Sequence, residues 1–413
     1  MIKIQKVNFT TPYSEMLDRK RPLYFLSEMT VSAQHGGGIT LFRTLSPELN
    51  DFDIFFSIGD YYLPAPSVAE RTHKWRPWTS SSICKRVLGC RLSYYLETRN
   101  WLQRRYARRS AMLIHKTLGT TSDDVCFLVC PQGSLAMRTI AELKRLRNVK
   151  YITWVMDDYY VRRDAANTWI YPVQEEQIFA RHLRDAQVVL TISRPMGEFY
   201  KTRFGIKYDV LFAPTPRDAP PPSGDHVPSY RLGYFGNLYE WVTDALARLR
   251  PYTAAAGYEI VIYSHQALPD TLKAPGITLM PPLSANVVQD KMLEFDAVLL
   301  PIGFTPQVQG FACFNIATKM AECIASGTVT LAIGPADSAM IRYMRDEGVG
   351  LPLSDLSASE VSSTLQVLNN PISRVQMLQR AVEHANTKLN KRSTLEKWES
   401  ALKTLNRSMP SNV

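Results

Sequence analysis

The sequence predicts an α/β protein in two domains, each built on a parallel sheet, and three observations carry that prediction. Short unbroken apolar runs, the pattern of strands covered on both faces, alternate with amphipathic stretches along most of the chain. A proline-dense segment, PTPRDAPPPSGDHVP (214–228), can neither continue a helix nor donate into a sheet, so it reads as a linker between two such alternations. Finally, FNIATKMAECIASGTVTLAIGP (314–335) reads as a short helix, a glycine stop at Gly327 and a buried strand from Val329 to Ile333. In that stretch Ala317, Met320, Ala321 and Ile324 recur at helical spacing, which leaves Lys319, Glu322 and Ser326 off the apolar face. Parallel sheets bind ligands outside the carboxyl ends of their strands, so this is the best candidate site.

In chain order, PLYFLSEM (22–29) is the first expected strand. Gly36, Gly37 and Gly38 follow it as a tight turn opening a helix that contains Ile39, Leu41, Phe42 and Leu45. Backbone amides at such a turn can approach an anion closely, and the plainer reading is a flexible connector. His35 beside it is either a catalytic candidate or an ordinary loop histidine. DIFFSIG (53–59), DVCFLVC (124–130), VKYITWV (149–155) and the run 186–192 supply further strands. Asp157 and Asp158 stand at a strand's carboxyl end, placed for a ligand or for helix capping. RPMGEFYKTRF then reads as a helix with its stop at Gly205.

After the linker the rhythm repeats. RLGYFG (231–236) is a strand, with Gly233, Gly236 and Asn237 closing it into a turn suited to phosphate, and YEIVIYS, GITLMPP and AVLLPI are strands. Beyond Pro371 the chain reads as helices.

Composition narrows the partners. In 413 residues the formal net charge is +10, with a pI near 9.2, which favours an acidic partner. Between Arg71 and Lys116 the basic residues include Arg91, Arg99, Arg104, Arg105, Arg108 and Arg109, with Glu97 the acid among them and Trp75, Trp78, Tyr94, Tyr95, Trp101 and Tyr106 interleaved. That composition fits docking on an anionic bilayer, contact with single-stranded nucleic acid, or a solvated helix face over an aromatic core. Charge is the whole case for nucleic acid, and none is expected as a partner. The start MIKIQKVNFTTPYSEM has no long apolar run, and none of membrane-spanning length follows, so the expectation is a cytoplasmic protein, with a peripheral position on the inner face of the membrane as the option the basic segment leaves open. The six cysteines, at 84, 90, 126, 130, 313 and 323, lack zinc spacing and are read as small core residues, with no metal expected.

Three stretches carry a family resemblance. TISRPMGEFYKTRFGIKYDVLFAPTP (191–216), RLGYFGNLYEWVTDAL (231–246) and TKMAECIASGTVTLAIGP (318–335) together resemble, in order and spacing, the GT-B fold glycosyltransferases of family 4 (group 1). The resemblance implies two Rossmann-like domains with parallel sheets facing across a cleft: an N-terminal acceptor-binding domain at 1–213, the linker at 214–228, a nucleotide-sugar-binding domain at 229–390, and a C-terminal helix at 391–413 packing back on the first domain. It implies a hexosyltransferase-type enzyme that moves a sugar from a nucleotide-diphosphate donor, a substrate rather than a cofactor, to a saccharide or lipid-linked saccharide in cell-envelope polysaccharide biosynthesis. Retention of configuration without a metal is part of the same implication. Glu322 would take the ribose hydroxyls and Lys319 the diphosphate, with Thr318, Asn315, Gly236 and Asn237 around the nucleotide and Gly37 and Gly38 opposite.

The chain departs from the family pattern in ways that matter. Phe314 stands where the donor motif has its first glutamate, as in the subgroup whose segment reads TK-x-x-E, and Asn237 and Leu238 occupy the region where many members place a basic residue, a charge that Lys319 or Arg231 would supply instead. His35 and Asp158 are the candidate bases. Two other readings share the fold: a sugar-nucleotide 2-epimerase and a non-catalytic binding subunit.

Overall fold

The computed structural model describes residues 22–32, 36–45, 52–59, 62–77, 86, 99–119, 124–158, 161–163, 169–170, 173–222 and 227–407. The first sheet contains β1 (Leu23–Ser27), β2 (Phe52–Ser57), β3 (Thr72–Lys74), β4 (Asp124–Cys130) and β5 (Asn148–Val155). Past an antiparallel ribbon of β6 (Arg162–Arg163) and β7 (Trp169–Ile170) set apart from it, β8 (Val188–Thr191) and β9 (Asp209–Val210) complete it. Its strands are all parallel, in the order β3-β2-β1-β4-β5-β8-β9. The second sheet, also parallel, has the order β12-β11-β10-β13-β14-β15, from β10 (Arg231–Phe235), β11 (Glu259–Tyr263), β12 (Ile277–Met280), β13 (Ala297–Pro301), β14 (Val329–Ile333) and β15 (Leu351–Leu353). Each order reverses once, at β1/β4 and at β10/β13, and such a switch point opens a crevice at the carboxyl edge.

Both faces of each sheet are covered, which is why the strands read as apolar runs. Along β1, Leu23 and Phe25 enter one core while Tyr24 and Leu26 enter the other. That alternation places α1 (Gly36–Thr44) on the first face. It places α2 (Asn100–Leu118) and α3 (Ser134–Leu143) on the second, while α4 (Val173–Asp185) and α5 (Arg194–Phe204) pack with α1's face. Gly205 ends α5 at φ +69° and Gly327 precedes β14 at φ +80°, both in the left-handed region that favours glycine.

The second domain carries α6 (Glu240–Ala255), α7 (Ala285–Met292), α8 (Pro306–Phe314), α9 (Met320–Ile324), α10 (Ala339–Glu347), α11 (Ala358–Asn369) and α12 (Pro371–Lys388). α13 (Lys391–Arg407) crosses to the first domain. Its Trp398 packs at 5.9 Å from the Phe52 ring, and Ala401, Leu402 and Leu405 join the same core. Fully burying a leucine of this kind contributes about 1.5–3 kcal/mol, so the crossing helix ties the two halves firmly. Among the described residues no helix is long and apolar enough to cross a membrane.

Two features depart from the sequence expectation. α8 is not anticipated by it, and the helix expected from Ala317 onward begins only at Met320. Residues 315–319 are instead held open by long-range contacts of Asn315 and Lys319, described next. The short helix that remains is buried on every side, so Glu322, expected off the apolar face at the cleft, is 5% exposed, and Ser326 is buried with its hydroxyl donating to the Cys323 carbonyl at 2.7 Å.

Candidate functional site

A small cleft, with about 40 Å³ of internal space, lies between the domains. Its first-domain wall is Gly37, Thr40, Met156, Asp157 and Ile192, and its second-domain wall is Ile316, Ala317, Thr318, Met320 and Ala321, with Phe212 and Ala213 also lining it. The first-domain segments follow the carboxyl ends of β1, β5 and β8, where helix N-termini of α/β sheets collect, while the second-domain segment joins α8 to α9 and reaches the carboxyl end of β10 through Lys319.

On the first-domain side the glycines do not precede the helix; they form its opening turn, since α1 starts at Gly36. The positive end of the helix dipole at that turn makes this edge of the cleft receptive to an anion. Gly37 has a packing reason to lack a side chain as well: a Cβ there would lie 2.4 Å from Met29 Sδ. Gly38 is buried and its carbonyl accepts from Ser32 N at 3.4 Å.

At the end of β5 the paired aspartates diverge. Asp157 lines the cleft. Asp158 is 3% exposed and turned inward, its two carboxylate oxygens accepting from Val161 N at 3.1 Å and from the Tyr200 hydroxyl at 2.9 Å. A carboxylate so engaged caps and braces its own loop, and within the pair the group facing the cleft is Asp157. His35 lies outside the described residues.

On the second-domain side Lys319 stands at the N-terminus of α9, and its ammonium donates to the Phe235 carbonyl at the end of β10. A Cβ built on Gly236 would lie 2.8 Å from Tyr234 Oη and 3.5 Å from that Nζ, so a side chain there would crowd the tyrosine hydroxyl first. Burial lowers the Lys319 pKa from its ordinary value, and the nearby Glu322 charge works against that. Thr318 is exposed on the cleft wall. Asn237 lies at the rim, its carbonyl accepting from the Tyr234 hydroxyl at 2.7 Å and its amide reaching Tyr239 Oη at 3.2 Å.

Glu322 pairs with neither Lys319 nor solvent. Its carboxylate lies 3.5 Å from Arg43 Nη2 at the end of α1, across the cleft. Asn315 also crosses, its side-chain oxygen accepting from Asp158 N at 3.3 Å while its Nδ2 is buried without a hydrogen-bond partner. Phe314 is no sugar contact: it is 4% exposed, stacked on Phe199 at 4.7 Å, and its carbonyl accepts from the Ser193 hydroxyl. The position where the family pattern has a glutamate thus anchors the second domain to the first. Sequence reasoning did not find Arg43 or Ser193; the basic residue in the last turn of α1 carries no local sign of a partner 279 positions away.

The chain matches no protein-family model and no curated protein. It does match solved structures. Sucrose-phosphate synthase from Thermosynechococcus elongatus is 12% identical with a TM-score of 0.62, covering 95% of this chain and 100% of that one. HepE from Anabaena, in complex with UDP and glucose, is 12% identical at TM-score 0.59, covering 93% and 99%. A variant of S. aureus TarM, in complex with UDP among other ligands, is 13% identical at TM-score 0.53; it covers 72% of this chain, which spans only 59% of that one. With the two switch-point sheets, these matches decide the architecture.

The fold is GT-B. In GT-B terms the cleft described above is the space between the two Rossmann-like domains, and α13 is the helix that returns from the second to the first.

Proposed function

We propose that this GT-B chain is a glycosyltransferase that moves a sugar from a nucleotide-diphosphate donor to a saccharide or lipid-linked saccharide acceptor. One observation carries the reading: Gly37 in the opening turn of α1 and Thr318, the neighbour of Lys319, line one cleft from opposite domains, while the Lys319 ammonium is held on the Phe235 carbonyl beside Gly236. Cleaving a sugar–phosphate bond leaves negative charge on the departing diphosphate, and a desolvated ammonium with oriented backbone amides is suited to stabilise it. The UDP bound in the HepE and TarM complexes supports a nucleotide of this class as the donor's carrier.

In the proposed reaction the second domain holds the donor. Glu322 takes the ribose hydroxyls after exchanging Arg43 for them, Lys319 and Thr318 face the diphosphate, and Asn315 supplies its unpartnered amide. The acceptor enters on the Asp157 side. Transfer with retention of configuration is consistent with this arrangement, because the departing phosphate can take the acceptor's proton on the face it leaves, with no paired catalytic carboxylates. The biological setting proposed is envelope polysaccharide assembly at the cytoplasmic side.

A thermal-shift screen of UDP, GDP, ADP and their sugars tests the reading. A ligand at a hundred times its dissociation constant stabilises by about 2.7 kcal/mol, and one base should stand out. If no nucleotide raises the melting temperature, the donor site is misplaced. Donor turnover in the absence of any acceptor would point to epimerisation instead.

A further inference from the structure

We propose that the outward face of α2 docks the protein on an anionic lipid bilayer. The helix has two unlike faces. Leu102, Ala107, Ala111 and Ile114 are buried against the sheet, whereas Trp101, Met112 and Leu113 are 61%, 55% and 38% exposed. Trp101 and Met112 are eleven residues apart, which at helical spacing leaves them only ~20° apart in projection, on one line along the helix. Arg104 and Arg108 flank that line on one side, and Arg105, Arg109 and Lys116 on the other, all exposed. The helix contains no acidic residue, and the nearest recorded carboxylate is Glu142 of α3, 3.6 Å from Arg108 Nε.

A basic helix face with an exposed tryptophan near one end and an exposed methionine toward the other matches the interface of an anionic bilayer. The apolar side chains reach the acyl boundary while the guanidinium groups meet lipid phosphates, and tryptophan suits that depth. A nucleic acid would use the same charges and could stack on Trp101, but it offers nothing to Met112 and Leu113. The orientation also fits. α2 ends at Leu118 just before β4 begins, so it runs antiparallel to the strands, and its Trp101 end lies at the carboxyl edge where the cleft opens. Tyr62 and Leu63, after β2 at that same edge, are 45% and 67% exposed. The docking itself does not depend on sugar transfer.

Sedimentation of the full chain with vesicles tests it. The chain should pellet with phosphatidylcholine–phosphatidylglycerol vesicles, not with phosphatidylcholine alone, and high salt should release it. R104E/R105E/R109E and, separately, W101S/M112S/L113S should each weaken binding about tenfold or more at an unchanged melting temperature, since these side chains are exposed. Brominated lipid should quench tryptophan emission in the native chain and less so in Trp101→Phe. Equal binding to both vesicle types, binding to neither, or unchanged binding in the charge-reversed variant overturns the proposal. So does tight binding of a single-stranded oligonucleotide, lost in R104E/R105E/R109E, by a chain that ignores the vesicles.

Discussion

Arg43 Nη2 and Glu322 Oε1 meet at 3.5 Å across the cleft, joining the last turn of α1 to the buried helix α9. Glu322 is 6% exposed in its side chain and Arg43 21%, so the carboxylate depends on this partner more than the guanidinium does. The same carboxylate is the one proposed to hold the ribose, and the two uses compete. Glu322→Gln should therefore lower nucleotide affinity at least about tenfold, the loss expected for one or two charge-assisted hydrogen bonds. Arg43→Met should cost roughly 1–3 kcal/mol of stability by leaving a buried carboxylate short of a partner. It should leave nucleotide affinity equal or higher. Calorimetric titration and denaturant unfolding of both variants separate the two roles: a plain domain tie would lower stability in both and affinity in neither.

Lys319 supplies the second prediction. Its ammonium is held by the Phe235 carbonyl and its pKa is lowered mainly by burial. Lys319→Met should reduce turnover roughly 10²–10³-fold, the scale for loss of a positioned electrostatic stabiliser. Because deprotonation removes the cation, turnover should also decline at a lower alkaline pH than an ordinary lysine would allow. In Lys319→Arg whatever activity remains should lack that decline, because the guanidinium stays charged. A pH–rate profile that is identical in the native chain and the arginine variant would remove Lys319 from the reaction.

Gly37 is the third. Valine there must displace the end of Met29 and add bulk beside the cleft. The flexible thioether can give way, so the fold should be retained while turnover falls about tenfold or more as the donor or acceptor is kept from the α1 amides. Circular dichroism and initial rates of Gly37→Val check both halves. Unchanged rates would reduce the glycines to a packing requirement.

His182 gives a prediction about stability alone. It is 3% exposed, stacked on Tyr151 at 5.0 Å and bonded through Nε2 to the Thr153 hydroxyl at 2.8 Å. Burial, helped by the Lys144 charge, depresses its pKa to about 3. Between the ordinary value of 6.5 and about 3 the unfolded chain binds a proton that the folded chain refuses. The stability His182 contributes is therefore complete above pH 6.5 and is lost as pH falls through that window, by at most roughly 1.4 kcal/mol per pH unit. His182→Gln should flatten the acid limb of unfolding free energy against pH. Parallel limbs in the two proteins would refute the assignment.

Much of this molecule was legible before any coordinates. The strands Asp124–Cys130 and Val329–Ile333 fall where their apolar runs lie, because burial on both faces keeps charged residues out of their interiors. Gly205 and Gly327 sit at positive φ where helices had to stop. α8 went unread although Thr305 and Pro306 are a recognisable helix start. The extra turn assigned to α9 came from a real apolar periodicity at 317–324 that serves burial on all sides rather than a single helix face.

What the sequence by itself determined is therefore local: the alternation of strand and helix, the two parallel sheets, the breaks at glycine and proline, and the segment in which the donor-side residues lie. Tertiary structure alone decided which side chains meet. Arg43 with Glu322, Asp158 with Asn315 and Ser193 with Phe314 are pairs separated by 279, 157 and 121 positions. It also turned Asp158 inward and left Asp157 on the cleft wall, a choice two adjacent identical residues cannot reveal. Periodicity records how a residue faces its own element. A contact across the cleft depends on how two separate cores are set against each other, and no spacing along the chain encodes that distance.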